Sequence, residues 1–212
     1  YIWKMFYPEN LAILYPHPGD TISTAKAVMC AVFLICITVA VLCFGRKRKY
    51  LVVGWLWYVG TLVPVIGIVQ VGAQAMADRY TYVTLTGLFI MFVWGAKEFV
   101  PAQNYKLVAA IAGLILVGLA VDSIAELQYW KNSQALFGRA IEVTKNNYRM
   151  LDNYGSILVE QGKVEDAIKC FQRSLEIYPD SPPANNNLGC ALQEVGDLQN
   201  AERYFRRAIE ND

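Results

Sequence analysis

Residues 25–69 read AKAVMCAVFLICITVAVLCFGRKRKYLVVGWLWYVGTLVPVIGIV. Two apolar runs, Ala25–Phe44 and Tyr50–Val69, lie on either side of four consecutive cations, Arg46–Lys49. As a helix, each run is about long enough to cross the ~30 Å hydrocarbon core of a bilayer. One Lys or Arg at the centre of such a helix costs roughly 2.5–3.5 kcal/mol, so the four cations must form a turn outside the bilayer. Short loops rich in Lys and Arg stay in the cytoplasm, and this basic turn therefore predicts the orientation of the chain.

The composition divides the chain into an apolar part and a polar part. The 212 residues are 55% hydrophobic, with a mean hydropathy of +0.29, which is too apolar for an ordinary soluble domain. The formal net charge of +1 and the lack of a basic face argue against a nucleic-acid partner. The five cysteines have no C-x-x-C spacing and there is one histidine, so we expect no metal site and no cofactor. Because the chain begins with Tyr1 and ends at a repeat boundary, we expect it to be a piece of a longer protein.

Hydropathy predicts a membrane region of four helices over residues 25–122. The predicted spans are Ala25–Phe44, Tyr50–Val69, Thr81–Ala96 and Leu107–Val121. Lys97 and Lys106 flank the second inner loop, in agreement with the basic turn. Residues 1–24 mix aromatic, charged and proline residues, and we place them at the outer membrane interface. Everything after Asp122 is then predicted to lie outside the cytoplasm.

The polar part of the chain, 129–212, repeats with a period of about 34 residues. Leu151, Tyr154, Gly155, Leu158, Ala167, Phe171 and Ser174 recur one period later as Asn185, Leu188, Gly189, Leu192, Ala201, Phe205 and Ala208. This period, with small residues at the eighth, twentieth and twenty-seventh positions, is typical of tetratricopeptide repeats, which are helix–turn–helix units. The sequence therefore predicts an all-α protein with an α-solenoid of two full repeats, 148–181 and 182–212. A half repeat, 129–145, precedes them, and we predict that the end of the fourth span supplies its first helix.

Four residues of the predicted outer face are candidates for binding a lipid phosphate. Arg79 can bind a phosphate through two hydrogen bonds, and Asp78, Lys4 and His17 lie on the same predicted side. The alternative is structural: Asp78 caps the third span, Arg79 contacts head groups without specificity, and His17 is a loop residue between two prolines. No catalytic residue can be identified from spacing.

The repeats carry a second candidate site. Asn153 and Asn187 both take the sixth position of their repeats, and their side-chain amides could donate to and accept from the backbone of an extended peptide. The alternative is two polar residues on a solvated face. Cys170 and Cys190 could form a disulfide in an oxidising compartment, although two free thiols are the simpler interpretation.

Three stretches together resemble a known family: YPENLAILYPHP (7–18), VGAQAMADRYTYV (71–83) and YWKNSQALFGRAI (129–141). They are similar to the C-terminal part of the transmembrane-and-tetratricopeptide-repeat family, membrane glycosyltransferases of the C-type fold with bacterial and archaeal relatives of the same layout. The resemblance implies transfer of mannose from a lipid-phosphate donor to Ser or Thr of a protein. The acceptor hydroxyl would attack while a carboxylate takes its proton, and cations would stabilise the departing phosphate.

The resemblance assigns the phosphate role to Arg79, with Lys4, and the binding of the acceptor polypeptide to the repeats. It implies a multi-pass membrane protein whose repeats lie in the periplasm, at the cell surface or in the endoplasmic-reticulum lumen. The family's catalytic acidic residues lie in a first outer loop that this chain lacks, so the chain by itself is not expected to catalyse transfer. The alternative function is a membrane-anchored repeat scaffold for protein–protein interaction. Several further spans and an acidic outer loop encoded upstream of Tyr1 would favour the enzyme.

Overall fold

The computed structural model describes residues 2, 10–16, 23–63, 74–76 and 81–211. These residues are mostly helical, with two short strands, β1 (Tyr15–Pro16) and β2 (Gln74–Met76). The chain divides into two compact units. The apolar unit consists of Tyr1–Glu9 and His17–Ser123, and the repeat unit consists of Asn10–Pro16 and Ile124–Asp212.

The apolar unit is built on helices that follow the hydrophobic runs. These are α1 (Thr24–Gly45), α2 (Lys49–Leu62), α3 (Thr81–Phe99) and α4 (Tyr105–Glu126). Two helical stretches, Thr24–Gly45 and Ala102–Trp130, are long and apolar enough to cross a membrane, and only 6% and 0% of their most apolar windows are buried within the protein. Lipid is the environment that suits an apolar helix left uncovered in this way.

The prediction of four spans is wrong for the residues that the structure describes, where two helices meet the requirement. The described part of α2 has 14 residues, which as a helix is about 21 Å long and too short for the hydrocarbon core. The rest of the predicted second span lies outside the described residues. In α3, Lys97, Glu98 and three threonines reduce the apolar character of the helix.

Helices α2 and α3 pack closely because each has a glycine at the contact. A Cβ atom added to Gly54 or to Gly87 would collide with the carbonyl oxygen of the other glycine. Small residues at the crossing point are the usual means by which apolar helices approach each other in membranes. Trp55 and Tyr58 fill the adjoining core, each 3% exposed, and the indole Nε1 of Trp55 donates to Thr38 Oγ1 at 3.0 Å.

The basic turn is bonded to the far end of α3. Arg48 Nε donates to Glu98 Oε1 at 2.6 Å, and the Tyr50 hydroxyl donates to Glu98 Oε2 at 2.7 Å. The hydrogen bond from Tyr50, and then that from Arg48, lowers the pKa of the Glu98 carboxyl below its ordinary value. The basic turn and the end of α3 therefore lie at the same end of the α2–α3 pair.

The repeat unit contains five helices in the described part of the chain. They are α5 (Ser133–Val143), α6 (Tyr148–Glu160), α7 (Val164–Ile177), α8 (Pro182–Glu194) and α9 (Leu198–Glu210). Four begin at a side chain that accepts from a backbone N–H three residues on, the usual N-cap arrangement. These caps are Asn132, Asn147, Ser181 and Asp197. Gly162 and Gly196 follow α6 and α8 with φ of +74° and +84°, a left-handed conformation that ends a helix and favours glycine.

The predicted small positions allow the two helices of each repeat to touch. A Cβ added to Gly155 would lie 2.6 Å from the ring of Phe171, and one added to Gly189 would lie 2.6 Å from the ring of Phe205. Ala167 is 0% exposed on the second helix of its repeat. The sequence period therefore corresponds to a repeated contact between a first-helix glycine and a second-helix phenylalanine.

Candidate functional site

The predicted lipid-phosphate residues lie outside the residues that the structure describes. These are Lys4, His17, Asp78 and Arg79. The phosphate site therefore stays a prediction from the sequence.

The predicted peptide-binding residues lie on the first helices of the two full repeats. Asn153 on α6 is exposed and Asn187 on α8 is half-buried. Helices α6 and α8 contact each other, so the two amides belong to neighbouring helices. Within the described residues, neither amide has a hydrogen-bond partner, and both are free to bond a ligand.

The helix period extends this surface. Ser156 and Glu160 follow Asn153 at spacings of three and seven residues, which places all three on one face of α6. Cys190 and Glu194 stand in the same relation to Asn187 on α8. We call these six residues the amide face. It combines two amides with two exposed carboxylates, so it offers hydrogen bonds to a peptide backbone and negative charge at one end.

One polar side chain next to the amide face is turned inward to support a turn. Asn185 is 0% exposed, and its Nδ2 donates to the carbonyl oxygens of Pro179 and Ser181 at 3.0 and 2.9 Å. This amide therefore braces the turn before α8, in agreement with its place outside the sixth position of the repeat.

Asp152, also beside the amide face, is a buried carboxyl. It is 8% exposed, and its Oδ1 has no partner among the described residues. Burial raises the pKa of the Asp152 carboxyl to about 6, against a smaller lowering by a hydrogen bond with Ser174. Sequence reasoning missed this group because a lone carboxylate beside Asn153 is indistinguishable from a solvated helix residue. Because its buried Oδ1 accepts no hydrogen bond, the Asp152 carboxylate destabilises the folded repeats.

Cys170 and Cys190 are free thiols in the structure, half-buried and exposed respectively. Burial raises the pKa of the Cys170 thiol, which makes it less reactive than an ordinary cysteine. The disulfide considered from the sequence is not formed. Among the described residues, no group of three or more His, Cys, Asp or Glu side chains could hold a metal ion.

One contact of the repeat unit has no counterpart in the sequence pattern. Residues 10–16, from the segment predicted to lie at the membrane interface, pack on α5 and the start of α6. Ala12 is 7% exposed and belongs to one cluster with Ala140 and Met150. Asn147 Nδ2 donates to the carbonyl oxygen of Leu14 at 3.0 Å, a bond between residues 133 positions apart. Nothing in the spacing of residues 10–16 predicts this contact.

Comparison with known proteins confirms the repeats. Residues 146–212 match the tetratricopeptide repeat family. The chain is 25% identical over 172 residues to the human (Homo sapiens) "Protein O-mannosyl-transferase TMTC1", an alignment that covers 79% of this chain and 18% of that protein. The chain therefore spans less than a fifth of this curated relative.

Two solved structures show a partial likeness to the chain. A point mutant of MamA is 20% identical, with 62% of this chain and 88% of that chain covered and a TM-score of 0.36. "MamA MSR-1 C2" is 17% identical, with 85% of this chain and 97% of that chain covered and a TM-score of 0.36. At these scores the likenesses carry no argument about function.

Proposed function

We propose that the chain is the C-terminal part of a membrane glycosyltransferase that transfers a sugar from a lipid-phosphate donor to Ser or Thr of a protein. The observation that carries the proposal is the similarity to an O-mannosyl-transferase across 79% of the chain, a stretch too long to leave out either the apolar part or the repeat part entirely. A transferase of this kind needs a membrane part for the lipid donor and a surface for the acceptor polypeptide. Uncovered apolar helices and tetratricopeptide repeats suit these two tasks.

In this proposal Arg79 binds the lipid phosphate. A guanidinium can donate two parallel hydrogen bonds to phosphate oxygens and can stabilise the negative charge that grows as the sugar leaves. Lys4 and His17 add positive charge, and Asp78 orients the arginine. No carboxylate of this chain is assigned as the base that deprotonates the acceptor hydroxyl.

The amide face is proposed to hold the acceptor polypeptide. The axes of packed helices lie about 8–10 Å apart, and an extended chain rises about 3.3 Å per residue. Asn153 and Asn187 would therefore bond backbone groups about three residues apart. Because backbone groups are common to all residues, such a grip would tolerate many acceptor sequences. The exposed carboxylates Glu160 and Glu194 would favour a basic residue at one end of the bound segment.

The repeats are proposed to lie outside the cytoplasm in a multi-pass protein. The basic turn favours the cytoplasm, and its bond to Glu98 brings the second predicted inner loop to the same end. Two or four spans are both even numbers, so either count returns the chain to the side from which α1 begins. The loop that carries Arg79 would share this aqueous face with the repeats if α2 and α3, which pack together, also extend to it.

The test is sugar transfer by the intact protein in membranes, with a lipid-phosphate-linked donor and an acceptor polypeptide. Arg79→Ala is expected to reduce transfer at least a hundredfold, the scale of removing one transition-state donor. Arg46→Ala is the matched control, because it removes a cation of the basic turn on the opposite predicted side. Wild-type rates in the Arg79 variant would remove this residue from the mechanism.

A membrane-anchored scaffold is the second candidate function. The observation that favours it is that the family match is confined to the repeats, which are protein-binding modules in general. An intact protein that binds polypeptides through the amide face, but transfers no sugar under any donor, would support the scaffold and exclude the enzyme.

A further inference from the structure

The half repeat lacks the first helix that the sequence predicts for it. Ile124, in the last turn of α4, stands one repeat period before Leu158 and two periods before Leu192. Leu158 and Leu192 are 5% and 8% exposed in the cores of their repeats, whereas Ile124 is 61% exposed. Ile124 therefore does not fill the core position that its two counterparts fill, and α5 needs another partner.

Residues 10–16 take that place. In the full repeats the phenylalanine of the second helix, Phe171, packs on the glycine of its first helix. The equivalent side chain of α5, Phe137, packs instead on the cluster formed by Ala12, Ala140 and Met150. Ala140 is 0% exposed, and its cluster combines Met150 of α6 with Ala12, against which Ile13, Leu14 and Tyr15 also pack.

The segment is shaped for this contact by its own hydrogen bonds. Asn10 has a positive φ of 53°, which turns the chain at its start. The Tyr15 hydroxyl donates to the carbonyl oxygen of Asn10 at 3.1 Å and accepts from the backbone N–H of Ala12 at 2.9 Å. These bonds close residues 10–15 into a compact turn.

Asn147 joins the segment to the repeats by using both ends of its amide. Its Oδ1 accepts from the backbone N–H of Met150 at 3.4 Å as the N-cap of α6. Its Nδ2 donates to Thr144 Oγ1 at 2.9 Å and to the carbonyl oxygen of Leu14 at 3.0 Å. The side chain is 4% exposed, so the segment supplies an acceptor to a donor that is shielded from water.

We infer that residues 10–16 replace the missing first helix of the half repeat, and that Asn147 is the positioning residue that recognises them. The groove between α5 and the start of α6 is thus an interaction surface whose partner is an apolar turn from the same chain. The turn shields the apolar end of the repeat stack, as a terminal capping element does in solenoid proteins. This inference goes beyond the proposed function and does not depend on sugar transfer.

The test compares hydrogen exchange of the full chain with that of Asn147→Asp in the same detergent. Aspartate keeps the oxygen that caps α6 and removes the Nδ2 donor, which bonds both the carbonyl oxygen of Leu14 and Thr144 Oγ1; the bond to Leu14 is the one that reaches residues 10–16. Exchange is expected to rise about fivefold at residues 11–15 and in α5, which corresponds to about 1 kcal/mol for one hydrogen bond, while α9 is unchanged. Asp197→Asn is the matched control. It makes the opposite substitution, aspartate to asparagine, at the cap of α9, where Asp197 Oδ1 accepts from the backbone N–H of Asn200.

A second variant, Leu14→Asp, tests the replacement itself. It places a charge in the apolar cluster and is expected to expose residues 11–15 fully and to raise exchange in α5 more than in α8 or α9. Unprotected residues 11–15 in the wild-type chain would overturn the inference. The inference would also be overturned if Leu14→Asp released residues 11–15 but hydrogen exchange in α5 stayed at the wild-type rate.

Discussion

Asp152 gives the sharpest test of the energetics, because it is a buried carboxyl with an unused hydrogen-bonding position. Its pKa is raised from 3.8 to about 6. One pKa unit corresponds to about 1.4 kcal/mol, so keeping this group ionised in the folded repeats costs roughly 2–3 kcal/mol at neutral pH.

The sign of the pH dependence follows from the raised pKa. Between pH 3.8 and about 6 the folded protein holds the Asp152 proton, whereas the unfolded chain has released it. The contribution of Asp152 to the free energy of unfolding therefore falls as the pH rises through this window, and the full penalty is present above it.

The perturbation is Asp152→Asn, which removes the charge and keeps the shape. The free energy of opening of the repeats is expected to rise by roughly 2 kcal/mol at pH 7.5 and to change little at pH 4. Hydrogen exchange of α6–α8 amides in the full chain measures this free energy at each pH.

The matched control is Asp166→Asn on α7. Asp166 is exposed, and the hydrogen bond from Lys169 lowers its pKa, so neutralising it should slightly destabilise the repeats at neutral pH. A loss of stability in the Asp152 variant at pH 7.5, or a gain of equal size at pH 4 and pH 7.5, would refute the reasoning about the buried carboxyl.

Two further substitutions test the repeat contacts and the amide face. Gly155→Ala should destabilise the repeats by about 1–3 kcal/mol, because its methyl group overlaps the phenylalanine ring packed on it. Gly138→Ala is the matched control, because its added Cβ would lie at an ordinary 3.6 Å from its nearest neighbour, and it should stabilise the repeats by up to about 1 kcal/mol through helix propensity. Thermal unfolding compares the two variants. Equal effects on stability would contradict the close contact between Gly155 and Phe171. Asn153→Ala combined with Asn187→Ala should weaken binding of an extended polypeptide about tenfold in a titration, at roughly 0.5–1.5 kcal/mol for each lost hydrogen bond, without changing stability. Gln172→Ala, on a second helix, should bind as the wild type does, and unchanged affinity of the double variant would exclude the amide face.

The apolar helices show which features hydropathy predicts and which it does not. The basic turn and the long runs around it predicted α1 and α4, because a bilayer imposes length and composition on any helix that crosses it. The count of four spans was wrong for the described residues, because hydropathy does not show where a helix ends or how far charged residues at its end reduce its apolar length. The close contact of Gly54 with Gly87 was also missed, since isolated glycines in an apolar run carry no information about which helix approaches them.

The repeats could be predicted because their contacts are local. Each first-helix glycine meets a phenylalanine on the helix that follows it, so the requirement for a small residue opposite a large one recurs with every repeat and is readable as a period. The docking of residues 10–16 on α5 is of another kind. It joins Leu14 to Asn147, which are 133 positions apart in the sequence, and it occurs once. It therefore produces no repeated spacing that could be detected in the sequence. The orphan oxygen of Asp152 is likewise a product of packing, because only the assembled helices remove the water that would have satisfied it.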